Sequence, residues 1–271
     1  LRLTTYDNIS GHHQHIFVSS HFDDVVYSCG GTLEALARTG ARPLVVTVYA
    51  SAPGPEMPLR EEALSIHKIM SLPETTPAQE VVEIRRLEDA AACEHLHSDY
   101  LWLHYYDKIY RDTPFASDER KIPQIHPDDR WIETQLAQEL LTVQQRHPDA
   151  IWYFPLATGH HVDHLSVYEA GALLEQSGAT VYYYEDFPYA LRAAPLSLED
   201  RMSELKRSFT PMLVDITETL TCKVEASSMY SSQTLMNFGS QEQLVEQTTT
   251  YPRTIKPESG RCYERYWQPA K

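Results

Sequence analysis

No run of this sequence approaches 18 apolar residues, so no segment reads as a membrane-spanning helix, and no basic-then-apolar leader opens it. The chain starts at Leu1, which leaves a removed leader open. Cysteine is scarce. Cys29, Cys93, Cys222 and Cys262 lie far apart with no C-x-x-C pair, the pattern of four reduced thiols in a cytoplasmic protein. Glycine is scarce as well, ten in all, and the G-x-G-x-x-G spacing of a dinucleotide site is missing. Basic residues fall short of acidic ones, 23 against 38, for a formal charge of −15. Such a surface repels a phosphate backbone or an anionic membrane, which argues against both as main partners; the same charge also aids solubility.

What is present describes an ordinary globular chain, 42% hydrophobic and 23% charged, long enough to bury one substantial core. Apolar runs and helical periods alternate as far as about residue 190. Strands are expected over 15–21, 43–50, 100–105, 150–154 and 180–185. Helices are expected over 30–38, 60–70, 82–96, 131–145 and 164–175. The stretch 107–129 mixes proline, charge, Tyr110 and Phe115 without a period, and an irregular run that long reads as a lid or binding loop. Alternation with buried strands predicts an α/β fold: a Rossmann-like, doubly wound, mostly parallel sheet with helices on both faces. After Pro188 the pattern weakens to a helix over 218–231 and a polar tail from Thr248. The expectation is a single domain over 1–271, with its core at about 14–190 and a C-terminal cap at about 190–271.

Two clusters carry the chemistry. His21-Phe22-Asp23-Asp24 follows Ile16-Phe17-Val18, and His160-His161-Val162-Asp163-His164 follows Ile151-Trp152-Tyr153-Phe154. Each sits where an apolar strand gives way to a helix, the edge at which open α/β sheets build their sites. Alone, either reads as a turn with a helix-capping residue. Together, they offer three ligands for one zinc ion, His21, Asp24 and His164, with a position left for water. Asp23 is then an unligated carboxylate suited to take a proton from that water. His161 is placed to stabilise an oxyanion, a role His160 could share, and Asp163 to orient a neighbouring histidine. His12, His13 and His15, ahead of the first strand, are expected in solvent.

The pattern H-x-D-D-x-x-x-x-x-G-G-T-L, followed by H-x-D-H after a later strand, resembles the PIG-L/LmbE-like family of zinc-dependent N-deacetylases, from about residue 14 onward. The resemblance implies His21, Asp24 and His164 as zinc ligands, Asp23 as general base and His161 as the histidine that meets the tetrahedral intermediate. It also implies substrate contacts for Arg85, in Arg85-Arg86-Leu87-Glu88, and for Asp107. Lys223 with Tyr230-Ser231-Ser232-Gln233 is similar to a recurrent K…S-Q segment. Of the 17 tyrosines, Tyr106 and Tyr110 are placed to stack on a sugar ring. Phe22 stands where the family has proline, and Val25 where it commonly has glutamate.

The expected function is hydrolysis of an N-acyl amide, acetyl by the family's habit, on an amino-sugar-containing small molecule, glycolipid or glycosylated natural product. Zinc or another divalent metal is the cofactor, and an N-acylated small molecule the partner; a homo-oligomer stays open. Two alternatives remain: a zinc amidase acting on a non-sugar amide, and a metal-bound binding module without catalysis. A nucleotide site at Gly30-Gly31 is disfavoured, because two carboxylates at that turn would repel a pyrophosphate.

Overall fold

The computed structural model describes residues 1–73 and 75–270. The chain runs through β1 (Arg2–Leu3) and β2 (His15–Ser19), crosses in α1 (Asp24–Arg38) to β3 (Leu44–Thr47), and reaches β4 (Asp99–Trp102) through α2 (Glu61–Ile69) and α3 (Ala78–His95). A long connection holding the small ribbon β5 (Ala116–Ser117) and β6 (Pro123–Gln124) leads to α4 (Trp131–Arg146), β7 (Ile151–Pro155), α5 (Val162–Gln176) and β8 (Thr180–Tyr184). In the sheet these strands lie in the order β1-β4-β3-β2-β7-β8, all parallel. Ile16 of β2 pairs with Leu44 of β3 on one side and Trp152 of β7 on the other. The connections therefore diverge between β2 and β7, and a crevice opens at their carboxyl ends.

Side chains alternate across the sheet as a period of two requires. Ile16 and Val18 face a layer with Leu136, Leu140 and Val167 of α4 and α5, whereas Phe17 and Val45 face Leu33 and Cys93 of α1 and α3. Both faces are covered, which is why the central strands read as unbroken apolar runs.

Beyond β8 follow α6 (Leu198–Leu205), β9 (Phe209–Asp215), α7 (Leu220–Ser227), α8 (Ser231–Phe238), α9 (Gln241–Thr254) and β10 (Tyr263–Pro269). β10 adds antiparallel to β8, and β9 antiparallel to β10, so this part extends the sheet as well as covering it. The polar tail expected from Thr248 thus ends in a strand, and the helix expected over 218–231 is α7, which ends at Ser227.

β10 is tied to α1 by a buried cluster. The Glu264 carboxylate accepts from the backbone N–H of Gly31 (3.0 Å) and Thr32 (2.8 Å), from the Thr32 hydroxyl, and from Lys223 Nζ (2.7 Å). A Cβ on Gly31 would lie 2.7 Å from Ile216 Cβ, so the glycine pair is a packing notch for the segment after β9. Lys223 serves this cluster and also donates to the Ser28 carbonyl (3.2 Å). His13, expected in solvent, is buried with Nε2 2.9 Å from Asp99, which also meets Arg42. Among the described residues no helix is long and apolar enough to cross a membrane.

Candidate active site

β2 ends at Ser19, and α1 begins at Asp24, six residues earlier than its glycines suggest. The turn between them is held by its own side chains. Ser19 Oγ donates to the His21 carbonyl (2.6 Å) and accepts from Val25 N–H (3.1 Å), while Asp24 Oδ2 accepts from the His21 backbone N–H (2.7 Å). On the neighbouring strand, β7 runs into residues 157–160, where Ala157, Gly159 and His160 have positive φ. His161 then caps α5, its Nδ1 accepting from Asp163 N–H (3.3 Å), and His164 falls in the first helical turn.

These two turns bring three imidazoles together, with ring centroids 4.9–5.4 Å apart. Asp24 Oδ2 lies 3.3 Å from His21 Nδ1 and 3.2 Å from His164 Nε2. Each imidazole has its other nitrogen on a buried carboxylate: His21 Nε2 is 3.0 Å from Asp163 Oδ2, and His164 Nδ1 is 2.6 Å from Asp186 Oδ1. His164 Nε2 is buried and makes no hydrogen bond.

Ligand atoms held roughly 2.0–2.1 Å from a tetrahedral metal are themselves about 3.3 Å apart. The Asp24 oxygen has that spacing to both inner nitrogens, and outer carboxylates of this kind are the usual support for ligating histidines. The residues fit a divalent metal ion. Two other groupings around His21 have ligand atoms within 4.8 Å of one another, His21 with His161 and His164, and His21 with Asp107 and Asp163. In the latter Asp163 is already engaged by Arg111 Nη2 (2.6 Å) and Lys108 N–H (3.0 Å), which leaves that set the least suited.

The field of the site is negative. Burial opposes charge on the His21 ring, but Asp107, Asp163 and Asp24 outweigh it and hold its pKa well above the histidine value. Burial opposes charge on His164 too, and Asp24 and Asp186 push it up to about 9. His161 goes the other way, down to about 4, through burial and the neighbouring His21. Burial and Asp24 raise Asp23, against the pull of Arg85 and His21. The cluster thus demands positive charge at two imidazoles, and a metal ion competes with protons for that position.

Residues 16–174, more than half of the chain, match the family described as GlcNAc-PI de-N-acetylase, PIG-L. The chain belongs to the PIG-L family. A 2'-N-acetylparomamine deacetylase from Niallia circulans is 31% identical over 189 residues, 64% of this chain and 66% of that relative, so the match spans just under two thirds of its length. One of the same name from Streptomyces fradiae is 27% identical over 89% of this chain and 79% of the relative. Among solved structures, the zinc-inhibited form of teicoplanin deacetylase Orf2 is 27% identical with a TM-score of 0.78, covering 94% of this chain and 97% of that one.

The two departures from the PIG-L motif have structural explanations. Phe22 is fully buried, edge-on to Trp102 at 6.0 Å, and the Arg85 guanidinium lies 5.3 Å over its ring. Val25 is fully buried in the core beneath α1 and α3, so it bears on packing.

Arg85 lies between Asp23 Oδ1 and Asp107 Oδ2, 3.4 Å from each, and Asp107 is 3.6 Å from His21 Nε2. Both are therefore brought to the cluster. Tyr106 lines a separate cavity and Tyr110 bonds His67. Glu88 turns away from Arg85 and accepts from Ser231 and Ser232 at the start of α8.

Three residues at this PIG-L site were missed by the sequence reading. Asn237 of α8 donates to Asp23 Oδ2 (2.9 Å), Asp186 backs His164, and the Tyr189 ring stands 5.2 Å from that of His164. Only Asp186 carried a local signal, an acid just past the apolar strand Val181–Tyr184.

Proposed function

We propose that this protein is a zinc-dependent N-deacetylase that removes an N-acetyl group from an amino sugar within a small glycosylated natural product. The reading rests on one observation above all: His21 Nδ1 and His164 Nε2, each with its outer nitrogen on a buried carboxylate, lie 3.3 and 3.2 Å from a single oxygen of Asp24. His21, Asp24 and His164 would hold the metal. The donor set of two imidazoles and one carboxylate is that of catalytic zinc sites, and the solved relative Orf2 has a zinc-inhibited form. The names of the two curated relatives support an acetylated amino sugar as substrate.

When bound, the metal supplies Lewis acidity toward a carbonyl oxygen and lowers the pKa of water. Asp23 takes the proton from the attacking water. Its Oδ2 is steadied by Asn237 and its Oδ1 by Arg85, which orient the carboxylate. The carbon–nitrogen bond breaks as Asp23 delivers that proton to the amine nitrogen. His161 accepts a backbone N–H at Nδ1, which leaves the hydrogen on Nε2, and burial keeps the ring neutral. A neutral imidazole with Nε2–H donates to the carbonyl oxygen as charge develops there. Arg85 and Asp107 hold hydroxyl groups of the sugar.

Metal analysis and a free-amine assay test this reading. About one zinc per chain is expected, lost in His164→Ala, together with zinc-dependent amine release from an N-acetylated amino sugar. Undiminished metal content in that variant would sink the ligand assignment.

A further inference from the structure

Beside the metal cluster lies a cavity of about 880 Å³, bounded by Tyr6, Tyr105, Tyr106, Arg111, Trp131 and Glu139 among others. Asp163 and Arg111 separate it from His21: Arg111 Nη2 bonds Asp163 Oδ1, whose other oxygen meets His21 Nε2. The volume is at the upper end of what a drug-sized ligand occupies.

Its charge is one-sided. Arg111 is spent on Asp163, on Asp129 at 3.3 Å and on the Tyr106 carbonyl, so it offers little to an anion. Glu139 is different. Its Oε2 accepts from the Tyr6 hydroxyl (2.9 Å), and its Oε1 from the Tyr105 hydroxyl (3.1 Å) and Gln135 Nε2 (3.0 Å). All three donors are neutral, so none of these hydrogen bonds on the cavity wall pairs the carboxylate with a cation. Tyr105 and Trp131 stack beside it with centroids 6.1 Å apart, and Trp131 remains 54% exposed. Aromatic faces next to an anion are what an ammonium group seeks, and the same faces cover the apolar side of a sugar ring. The net charge of −15 draws a polyamine toward the protein and repels acids.

We infer that this cavity binds a ring-borne ammonium group, and that its occupant is the non-reacting, amine-bearing ring of the substrate. The second half rests on the amino-sugar deacetylase reading above; the first does not. Two side chains of separation suit a ligand of two or three rings, with its acetamide near Asp23 and its distal amine against Glu139, Tyr105 and Trp131.

Glu139→Gln removes the charge and keeps an acceptor oxygen for one tyrosine hydroxyl while its NH2 donates to the other, and Trp131→Ala removes an exposed platform. The zinc-loaded enzyme is assayed with 2'-N-acetylparomamine, which carries further amines, and with methyl N-acetylglucosaminide, which carries none. Glu139→Gln should raise KM for the first about tenfold with kcat retained, leave KM for the second unchanged, and leave zinc content intact; Trp131→Ala should follow it. Equal changes for both substrates, or none for either, would overturn the subsite.

Calorimetry with paromamine decides the ammonium site without any hydrolysis: binding about tenfold weaker in Glu139→Gln supports it, and equal binding refutes it. If neither substrate is hydrolysed while that difference holds, the deacetylase reading fails and the ammonium site stands. Paromamine binding that depends on Glu139 yet does not compete with 2'-N-acetylparomamine would refute the substrate as occupant. Tighter binding of phenyl N-acetylglucosaminide, indifferent to Glu139→Gln, would make the cavity a pocket for a neutral aromatic aglycone and end the proposal.

Discussion

Replacing Asp186 by Asn removes a charge from behind His164, a proposed metal ligand, and leaves the volume unchanged. Asp186 is 1% exposed; its Oδ1 accepts from His164 Nδ1 (2.6 Å) and its Oδ2 from Thr158 N–H (2.9 Å). An asparagine has one oxygen for these two donors. With that oxygen on Thr158, the amide NH2 faces Nδ1 and drives the histidine hydrogen to Nε2, where it points at Asp24 and blocks ligation. With the oxygen on His164, two N–H groups oppose each other in a buried place, at about 1–3 kcal/mol. Either outcome weakens the metal. Losing an outer carboxylate of this type costs about 10–100-fold in metal affinity, or roughly 1.4–2.7 kcal/mol. Competition against a fluorescent zinc chelator at fixed pH reads the change, with thermal unfolding followed in parallel. An Asp186→Asn protein that folds and holds zinc within twofold of the parent would refute this account of His164.

Asp23→Asn should keep the fold and zinc and lose about 10²–10⁴-fold in amine release, measured at saturating substrate; unimpaired turnover would remove Asp23 as the base. Asp89 is fully buried, accepts from Trp102 Nε1 and the Tyr230 hydroxyl, and is pushed up by burial to about 7 from an ordinary 3.8. The native state then holds more protons than the unfolded chain between those values, so stability falls as pH rises through that window, by up to roughly 4 kcal/mol. Urea midpoints at pH 5 and pH 8 should drop less in Asp89→Asn than in the parent, and identical drops would contradict the assignment. Gly31→Ala places a Cβ 2.7 Å from Ile216 and should destabilise by about 1–3 kcal/mol in urea; a neutral result would mean α1 and the segment after β9 separate easily.

The parts legible in the sequence were those whose cause is local. An apolar strand followed by His21 and Asp24, and another followed by His161 and His164, announced both the parallel sheet and the edge carrying the polar groups. The meeting of the two turns followed from strand order, because β2 and β7 are neighbours. Asn237 and Tyr189 were illegible because their positions depend on elements packed from far along the chain. β9 and β10 were missed for a different reason. Residues 210–213 are exposed, and β10 interleaves charge with aromatics, so neither presents an apolar run. Tyr106 precedes Asp107, which lies near His21, and borders the adjoining cavity.

The tie between Glu264 and α1 makes a residue remote in sequence a support of the site. The helix that begins at Asp24 gives two backbone amides, and α7 gives the Lys223 ammonium, to one carboxylate borne on β10. A substitution at Glu264, which touches none of the clustered histidines, therefore strips α1 of a buried acceptor and loosens the helix on which Asp24 stands.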